Sequence, residues 1–220
     1  IATNALPSEV EALFPGSGTA GKSFAVTRAP LKGVIMEIAT FRKDHSYSDG
    51  RRPGKISFAD PETDAQRRDF TINAIFLDPI TGKFHDFTGG RKDLDKRIIK
   101  CVGKPCARFD EDHLRMLRAV RFAGTLDFTI HPLTAKAIQK NARKICRISA
   151  ERIHDELTRI LMESIRPGDS LVLMDKVRLL EHILPEVAAM KGQEQPPEFH
   201  PEGDVFTHTV IMLNMMRNRS

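Results

Sequence analysis

Residues Glu111 to Phe128, EDHLRMLRAVRFAGTLDF, limit the fold more than any other part of this chain. At about 100° per residue, Leu114, Leu117 and Val120 share one apolar arc that has to be covered. Asp112, Arg115 and Arg118 fall on the opposite side, with the small Ala119 beside them, while Arg121 lies nearer the leucines. A helix is therefore expected near Asp110–Leu126, and other elements must pack on its apolar side. The segments near Pro132–Arg143, Ser149–Ile165 and Gly168–Leu180 carry the same helical texture and can supply that cover.

The chain before Gly90 reads differently. Ser8 stands where it can cap a short helix, SEVEALF, which Pro15 and Gly16 end. SFAVT and GVIMEIATF are apolar and β-branched, as strands are. Arg42 to Pro53, RKDHSYSDGRRP, is polar and glycine-containing and is expected to be a mobile loop. A helix is expected from about Pro61 to Ala74, then a hairpin around Thr81-Gly82 within Asp78–Phe87. Beyond Lys191, KGQEQPPEFHPEG reads as a linker, and DVFTHTVIMLNMMRN begins another apolar helix. The class is α+β: a mixed sheet-and-helix head over 1–90, then helical segments over 91–148 and 149–190, with linker and tail over 191–220.

The 220 residues carry 34 Lys and Arg against 29 Asp and Glu, a formal charge of +5. That balance is compatible with an ordinary basic protein and with a polyanionic partner. Cys101, Cys106 and Cys146 are odd in number and match no zinc spacing, so free thiols in a reducing cytosol are expected. With one Tyr and no Trp, broad base stacking on single strands is a weak expectation. No apolar run reaches the length of a membrane span, and no signal peptide is expected. The opening IATNALP reads as the end of a strand entering a helix, so the chain is expected to be a fragment or a product cut at its front.

Two readings of the arginine face stay open. One is a solvated face with an Asp112–Arg115 pair at i,i+3, which stabilises by tenths of a kcal/mol. The other is a reader of bases. Cytosine and adenine share an exocyclic amino donor beside a ring-nitrogen acceptor, an order that uracil and guanine reverse. An Asp accepts and an Arg donates, so Asp112 and Arg115 together can select C and A. A mismatch would bury an unpaired polar group at a cost of about 1–3 kcal/mol. Arg118 and Arg121 can reach phosphates bidentately.

The segment EDHLRMLRAVRFA is similar to the EDxxRxxRxxRFA nucleotide-template motif of class II tRNA nucleotidyltransferases and bacterial poly(A) polymerases. RRDFTINA, Arg67 to Ala74, matches that family's nucleotide-ribose motif letter for letter. TGGRKDLDKRIIKCVG resembles its hinge, SAERIHDELTRIL the opening of its helical body, and DGRRPGKISFADPETDAQRRDFT its loop-to-helix pattern. The resemblance covers nearly the whole chain, with the motifs in the family's order. It implies that Arg68 and Asp69 contact the incoming nucleotide and that Asn73 supports the turn, unless Asn73 is a cap or a buried polar group. It also implies that Asp112, Arg115, Arg118 and Arg121 form the template and that Arg152 contacts RNA. The family opens with a Gly-Gly cradle, an Arg-Asp pair and a D-x-D that holds Mg²⁺. IATNALP matches the family's stretch just after D-x-D, so the cradle and both aspartates are expected upstream of Ile1. Glu37 is the candidate third carboxylate for Mg²⁺, its alternative being a surface strand glutamate. HPEGDVFTHT resembles the opening of an HD-type phosphohydrolase domain, where His208 would be a first metal ligand. Without the rest of that set, an isolated histidine is expected.

The resemblance implies addition of C and A to the tRNA 3′ end from CTP and ATP, with Mg²⁺ and without a nucleic-acid template. A bacterial poly(A) polymerase is the alternative enzyme. Those polymerases tend to carry a basic-aromatic stretch after the position of Gly21, and here Ser23 stands where a second basic residue would be. CC-adding and A-adding specialists also share the scaffold, and residues 42–53 would govern that choice. A nucleotide- or RNA-binding remnant without catalysis is the alternative of another class. Two-metal transfer needs carboxylates that activate the 3′-hydroxyl and screen the leaving pyrophosphate. The 220-residue chain alone is therefore expected to incorporate no labelled ATP into tRNA above a no-protein control. Incorporation above that control would show that residues 1–220 contain all the carboxylates the reaction needs.

Overall fold

The computed structural model describes residues 1–19, 25–47 and 53–217. They form two compact units, the first Ile1–Arg91 and the second beginning at Lys92. The first unit opens with β1 (Ala2–Thr3), α1 (Pro7–Leu13), β2 (Gly18–Thr19), β3 (Val26–Leu31) and β4 (Val34–Thr40). Its sheet order is β1-β4-β3-β2, with β1 parallel to β4 and the other pairs antiparallel. Lys32 and Gly33 both have positive φ, 48° and 81°, which is what a two-residue hairpin loop with the right twist requires. Val10 of α1 packs on Ala29 and Ile38 of the sheet. The helix begins at Pro7, not after Ser8, because proline is preset for the first helical position and Glu9 accepts the Leu6 N–H at 2.7 Å.

Arg42–Tyr47 is not a loop. It forms β5, paired antiparallel with β6 (Pro53–Phe58), in a register that sets Arg42 opposite Phe58 and Asp44 opposite Ile56. A polar strand is tolerated here because its charges are matched. Arg42 Nε donates to Asp44 Oδ1 at 2.9 Å, and both side chains are buried. Residues 48–52, the remainder of that expected loop, lie outside the described residues, as do 20–24, which include Gly21 and Ser23.

The helix expected over Pro61–Ala74 is broken in two. Asp60 caps α2 (Pro61–Gln66) through the Thr63 N–H at 2.8 Å, and a single 3-10 turn follows at Thr71–Asn73. Phe70 between them is extended and wholly buried, which no continuous helix would allow. The hairpin around Thr81-Gly82 pairs β7 (Ile75–Leu77) with β8 (Phe84–Asp86), starting earlier than Asp78. Asp86 then accepts N–H groups from Thr88, Gly90 and Arg91, which starts α3 (Gly90–Asp95).

The second unit is mainly helical. A short parallel pair joins β9 (Ile98–Ile99) to β10 (Thr129–Ile130). Between them lie α4 (Pro105–Glu111) and α5 (Arg115–Leu126). After β10 come α6 (Pro132–Asn141), a 3-10 stretch (Ala142–Arg147), α7 (Ala150–Glu163) and α8 (Pro167–Lys176). Two short helices, α9 (Leu180–Ile183) and α10 (Pro185–Ala188), precede α11 (Val205–Arg217). Phe109, Met116, Leu117, Ile138, Ile145, Ile160, Met174, Leu179 and Leu180 are fully buried and make its core. α5 packs on α7 and α8, and α11 packs on α8, so the segments expected over 91–148, 149–190 and 191–220 fall in the one unit that begins at Lys92. Among the described residues, no helix is long and apolar enough to cross a membrane.

α8 and α11 meet at Gly168, where an added Cβ would stand 2.1 Å from the Val210 carbonyl oxygen. The Gly168 N–H donates to Asn214 Oδ1 at 2.8 Å and holds that approach. Gly168→Ala must therefore push the helices apart. Thermal unfolding of the variant should show a lowered Tm, from a loss of about 1–3 kcal/mol. An unchanged Tm would show that α11 is not seated there in solution.

Candidate nucleotide-binding site

The expected helix over Asp110–Leu126 breaks at Asp112, which is extended (φ −150°, ψ 109°) between α4 and α5. Two side chains cause the break. His113, itself buried, donates from Nδ1 to the Phe109 carbonyl at 2.6 Å, taking an acceptor that a continued helix would need. Asp112 Oδ1 accepts the Leu114 N–H at 3.0 Å, a local turn that competes with helix. Arg115 N–H then donates to the Asp112 carbonyl at 3.1 Å, and α5 starts.

The expected Asp112–Arg115 pair does not form. Asp112 Oδ2 accepts from Arg152 Nη2 of α7 at 2.8 Å. Arg115 Nη1 instead donates to Glu111 Oε2 at 2.5 Å and to the Arg108 carbonyl at 3.1 Å. Glu111 also holds Arg108 at 2.6 Å, so one carboxylate orders two guanidinium groups. Glu111, Asp112, Arg115 and Arg118 are all partly exposed, whereas Ala119, expected beside them, is wholly buried. Arg118 lies over the Phe122 ring at 5.2 Å.

Arg121 is separated from this stripe. It is 4 % exposed, lies over the Phe122 ring at 4.2 Å, and its Nε donates to Glu156 Oε1 at 2.5 Å. Its Nη1 reaches Glu163 Oε2 at 3.3 Å. Hydrogen bonding from Arg159 holds the Glu163 carboxyl below its ordinary range, so it faces Arg121 as an anion. A guanidinium enclosed this way by two carboxylates joins α5 to α7 and is not presented to a phosphate. Glu156 and Glu111 were not legible as site residues. The available signal was position: Glu111 lies one helical turn before Arg115, and Glu156 one turn after Arg152.

In the first unit, the two arginines of RRDFTINA converge on Asp64. Asp64 is buried and accepts from Arg67 at 2.6 Å, Arg68 at 3.0 Å and the Arg42 N–H at 3.2 Å. Arg68 also donates to the Asn73 carbonyl at 2.8 Å and stands 4.7 Å above the Phe76 ring. Asp69 Oδ1 accepts from Phe70 N at 2.8 Å and Asn73 Nδ2 at 3.0 Å. Asn73 therefore buttresses Asp69. The missed members, Asp64 and Arg67, sit at helical spacing inside or just before the quoted motif.

Glu37 lies on β4 directly opposite Arg28 of β3, and the two pair at 3.2 Å with both side chains mostly exposed. Its surroundings are those of a surface cross-strand ion pair. His208, expected to be isolated, has partners: its Nδ1 bonds to Glu202 Oε1 at 2.5 Å, and its ring meets that of His200 edge-on at 4.9 Å. All three Cys are free, Cys101 buried and the other two exposed.

Residues 1–100 match the family model of the poly A polymerase head domain, and residues 127–191 match that of the probable RNA and SrmB-binding site of polymerase A. A CCA-adding enzyme of Lactobacillus johnsonii is 37 % identical over 100 % of this chain, which spans only 56 % of that relative. The chain thus spans about half the length of such a relative. The fold is similar to that of the Bacillus stearothermophilus CCA-adding enzyme in complex with CTP. The TM-score is 0.73 at 38 % identity, over 81 % of this chain and 42 % of that one. A tRNA-processing enzyme solved with CTP gives a TM-score of 0.65 at 27 % identity, over 89 % of this chain and 50 % of that one. A mixed-sheet head followed by helices with these matches defines the nucleotidyltransferase class. The chain belongs to the family of class II tRNA nucleotidyltransferases and bacterial poly(A) polymerases.

The enclosed position of Arg121 can be tested by stability. Replacing it by Met leaves Glu156 charged and buried without its partner. Arg121→Met should lower the free energy of urea unfolding by about 3–5 kcal/mol. A loss below about 1 kcal/mol, typical of exposed pairs, would return Arg121 to the phosphate-reaching group.

Proposed function

We propose that this chain is the nucleotide-selecting part of an enzyme that adds C and A from CTP and ATP to the 3′ end of tRNA, in a reducing cytosol. The observation that carries this reading is the break at Asp112. It holds one acceptor, Asp112, and one donor, Arg115, at partly exposed positions a single turn apart, each kept in place by an ion pair with the protein. When a base arrives, Asp112 exchanges Arg152 for the exocyclic amino group. Arg115, steadied by Glu111, donates to the neighbouring ring nitrogen. Arg118 takes a phosphate, while Arg121 positions α5 from within. Arg68 and Asp69, braced by Asn73, take the phosphates and ribose of the incoming nucleotide. Arg152 stands at the same break and meets RNA once Asp112 releases it.

Mg²⁺ is the expected ion, supplying charge neutralisation at the phosphates and activation of the attacking hydroxyl. A Mg²⁺ site uses one or two carboxylates with water and phosphate oxygens. Glu37, exposed and paired with Arg28, supplies one oxygen ligand and does not make a two-ion site by itself. The parallel register of β1 on β4 supports its role. Ala2 faces Ala39, so a strand continued backwards from Ile1 would run beside Glu37. No step is assigned to the ion from these residues alone.

Two substitutions, made in an active nucleotidyltransferase that contains this chain, separate base reading from ribose binding. Arg115→Ala should reduce CTP and ATP use by roughly one to two orders of magnitude, from about 1–3 kcal/mol, and should shrink discrimination against UTP and GTP. Asp69→Ala should weaken CTP and ATP alike, since a ribose contact is blind to the base. The measurement is steady-state incorporation of all four nucleotides onto tRNA lacking its 3′ end. Full selectivity in Arg115→Ala would leave Asp112 and Arg115 as a solvated face.

A further inference from the structure

Arg152 covers the one oxygen of Asp112 that the backbone leaves open. Asp112 Oδ1 accepts the Leu114 N–H at 3.0 Å, and Oδ2 accepts from Arg152 Nη2 at 2.8 Å. An amino group that approaches Oδ2 therefore meets Arg152 first. The two side chains are 20 % and 18 % exposed. At that access an ion pair is weak enough to be exchanged for another partner.

Arg152 also has spare capacity. Among the described residues Asp112 is its only partner, and a single guanidinium nitrogen makes the contact. The segment that leads into α7 is strongly unbalanced in charge. Residues 140–152 hold Lys140, Arg143, Lys144, Arg147 and Arg152 against one acid, Glu151. Lys144 is paired with Asp110. Arg143 and Arg147 are exposed on the 3-10 stretch and have no carboxylate partner among the described residues. Unmatched cations of this kind attract a polyanion, and a guanidinium can grip a phosphate through two parallel bonds.

We propose that Arg152 is a lock on Asp112 that RNA opens. A phosphate of the tRNA draws Arg152 away, and Asp112 Oδ2 becomes free to accept from the amino group of C or A. The proposal rests on the reading of Asp112 as base acceptor and adds what controls it. A nucleotide that arrives without RNA must displace Arg152 by itself and is held less firmly. RNA and nucleotide therefore bind with positive coupling, and each raises the affinity for the other by the same factor. Bases are then read best when an RNA end is present to receive them.

The test is calorimetric titration of CTP, ATP and UTP into an active nucleotidyltransferase that contains this chain, with and without tRNA. The tRNA lacks its CCA and ends in a 3′-deoxynucleotide, so nothing is added to it. Saturating tRNA should tighten CTP and ATP by about three- to fivefold, which is what the stronger exposed ion pairs supply. CTP should tighten tRNA by the same factor, a measurement that needs no variant. Arg152→Ala and the more conservative Arg152→Gln should each tighten CTP and ATP by about three- to fivefold without RNA. Both should leave UTP unchanged, since it offers Asp112 no amino group, and should reduce the tRNA effect below about twofold. Weaker CTP binding in these variants would make Arg152 a brace for Asp112, or a ligand of the nucleotide's own phosphates, and would overturn the lock. A tRNA effect that persists undiminished in them, or UTP tightening together with CTP, would overturn it too. Asp112→Ala separates the two levels of the argument. If it spares CTP affinity and selectivity, Asp112 reads no base and the lock falls with that reading. If it costs both while the Arg152 variants do not tighten CTP, the lock alone fails.

Discussion

Arg121 carries a permanent cation into a place where water cannot solvate it. Such a charge is tolerated only with a close, hydrogen-bonded counter-charge, because its desolvation costs several kcal/mol. Glu156 supplies that anion from α7 at 2.5 Å, with Glu163 behind it at 3.3 Å. The pairing fixes how α7 lies on α5. One turn before Glu156, on the same face of α7, Arg152 meets Asp112 at 2.8 Å. The buried pair and the exposed one are thus set by a single helix placement, and the geometry at Asp112 depends on the pair beneath it.

The two pairs differ in strength for a physical reason. Arg121 and Glu156 are both nearly inaccessible, so losing either leaves a stranded charge. Arg152 and Asp112 retain partial access to solvent, so exchanging one partner for another costs little. Under the proposed reading this is the useful division. The rigid pair holds the frame, and the exchangeable one sits where a base must be admitted. Glu111 does for Arg115 what α7 does for Asp112, holding a long flexible side chain near its working position before any ligand arrives.

Much of this was legible in the residues. The apolar arc of Leu114, Leu117 and Val120, the hairpin at Thr81-Gly82 and the helices near Ala150–Glu163 and Pro167–Lys176 come from period, turn chemistry and proline position. The competition between side chain and backbone escaped. His113 reads as one more helical residue until its ring takes the Phe109 carbonyl. Arg42–Tyr47 reads as a loop until Asp44 pairs with the Arg42 guanidinium and Asp64 accepts the Arg42 N–H. Arg67 and Arg68 read as the middle of a helix until both turn back to Asp64.

The sequence by itself determined the class of the chain and the order of its motifs. Motif order and local periodicity are properties of neighbours along the chain. Only the tertiary structure decided which partner each charge takes: Arg152 for Asp112, Glu111 for Arg115, Glu156 for Arg121, and Glu202 for His208. An ion pair is chosen by distance and burial. Those depend on how distant segments pack, and no spacing within one helix can specify them.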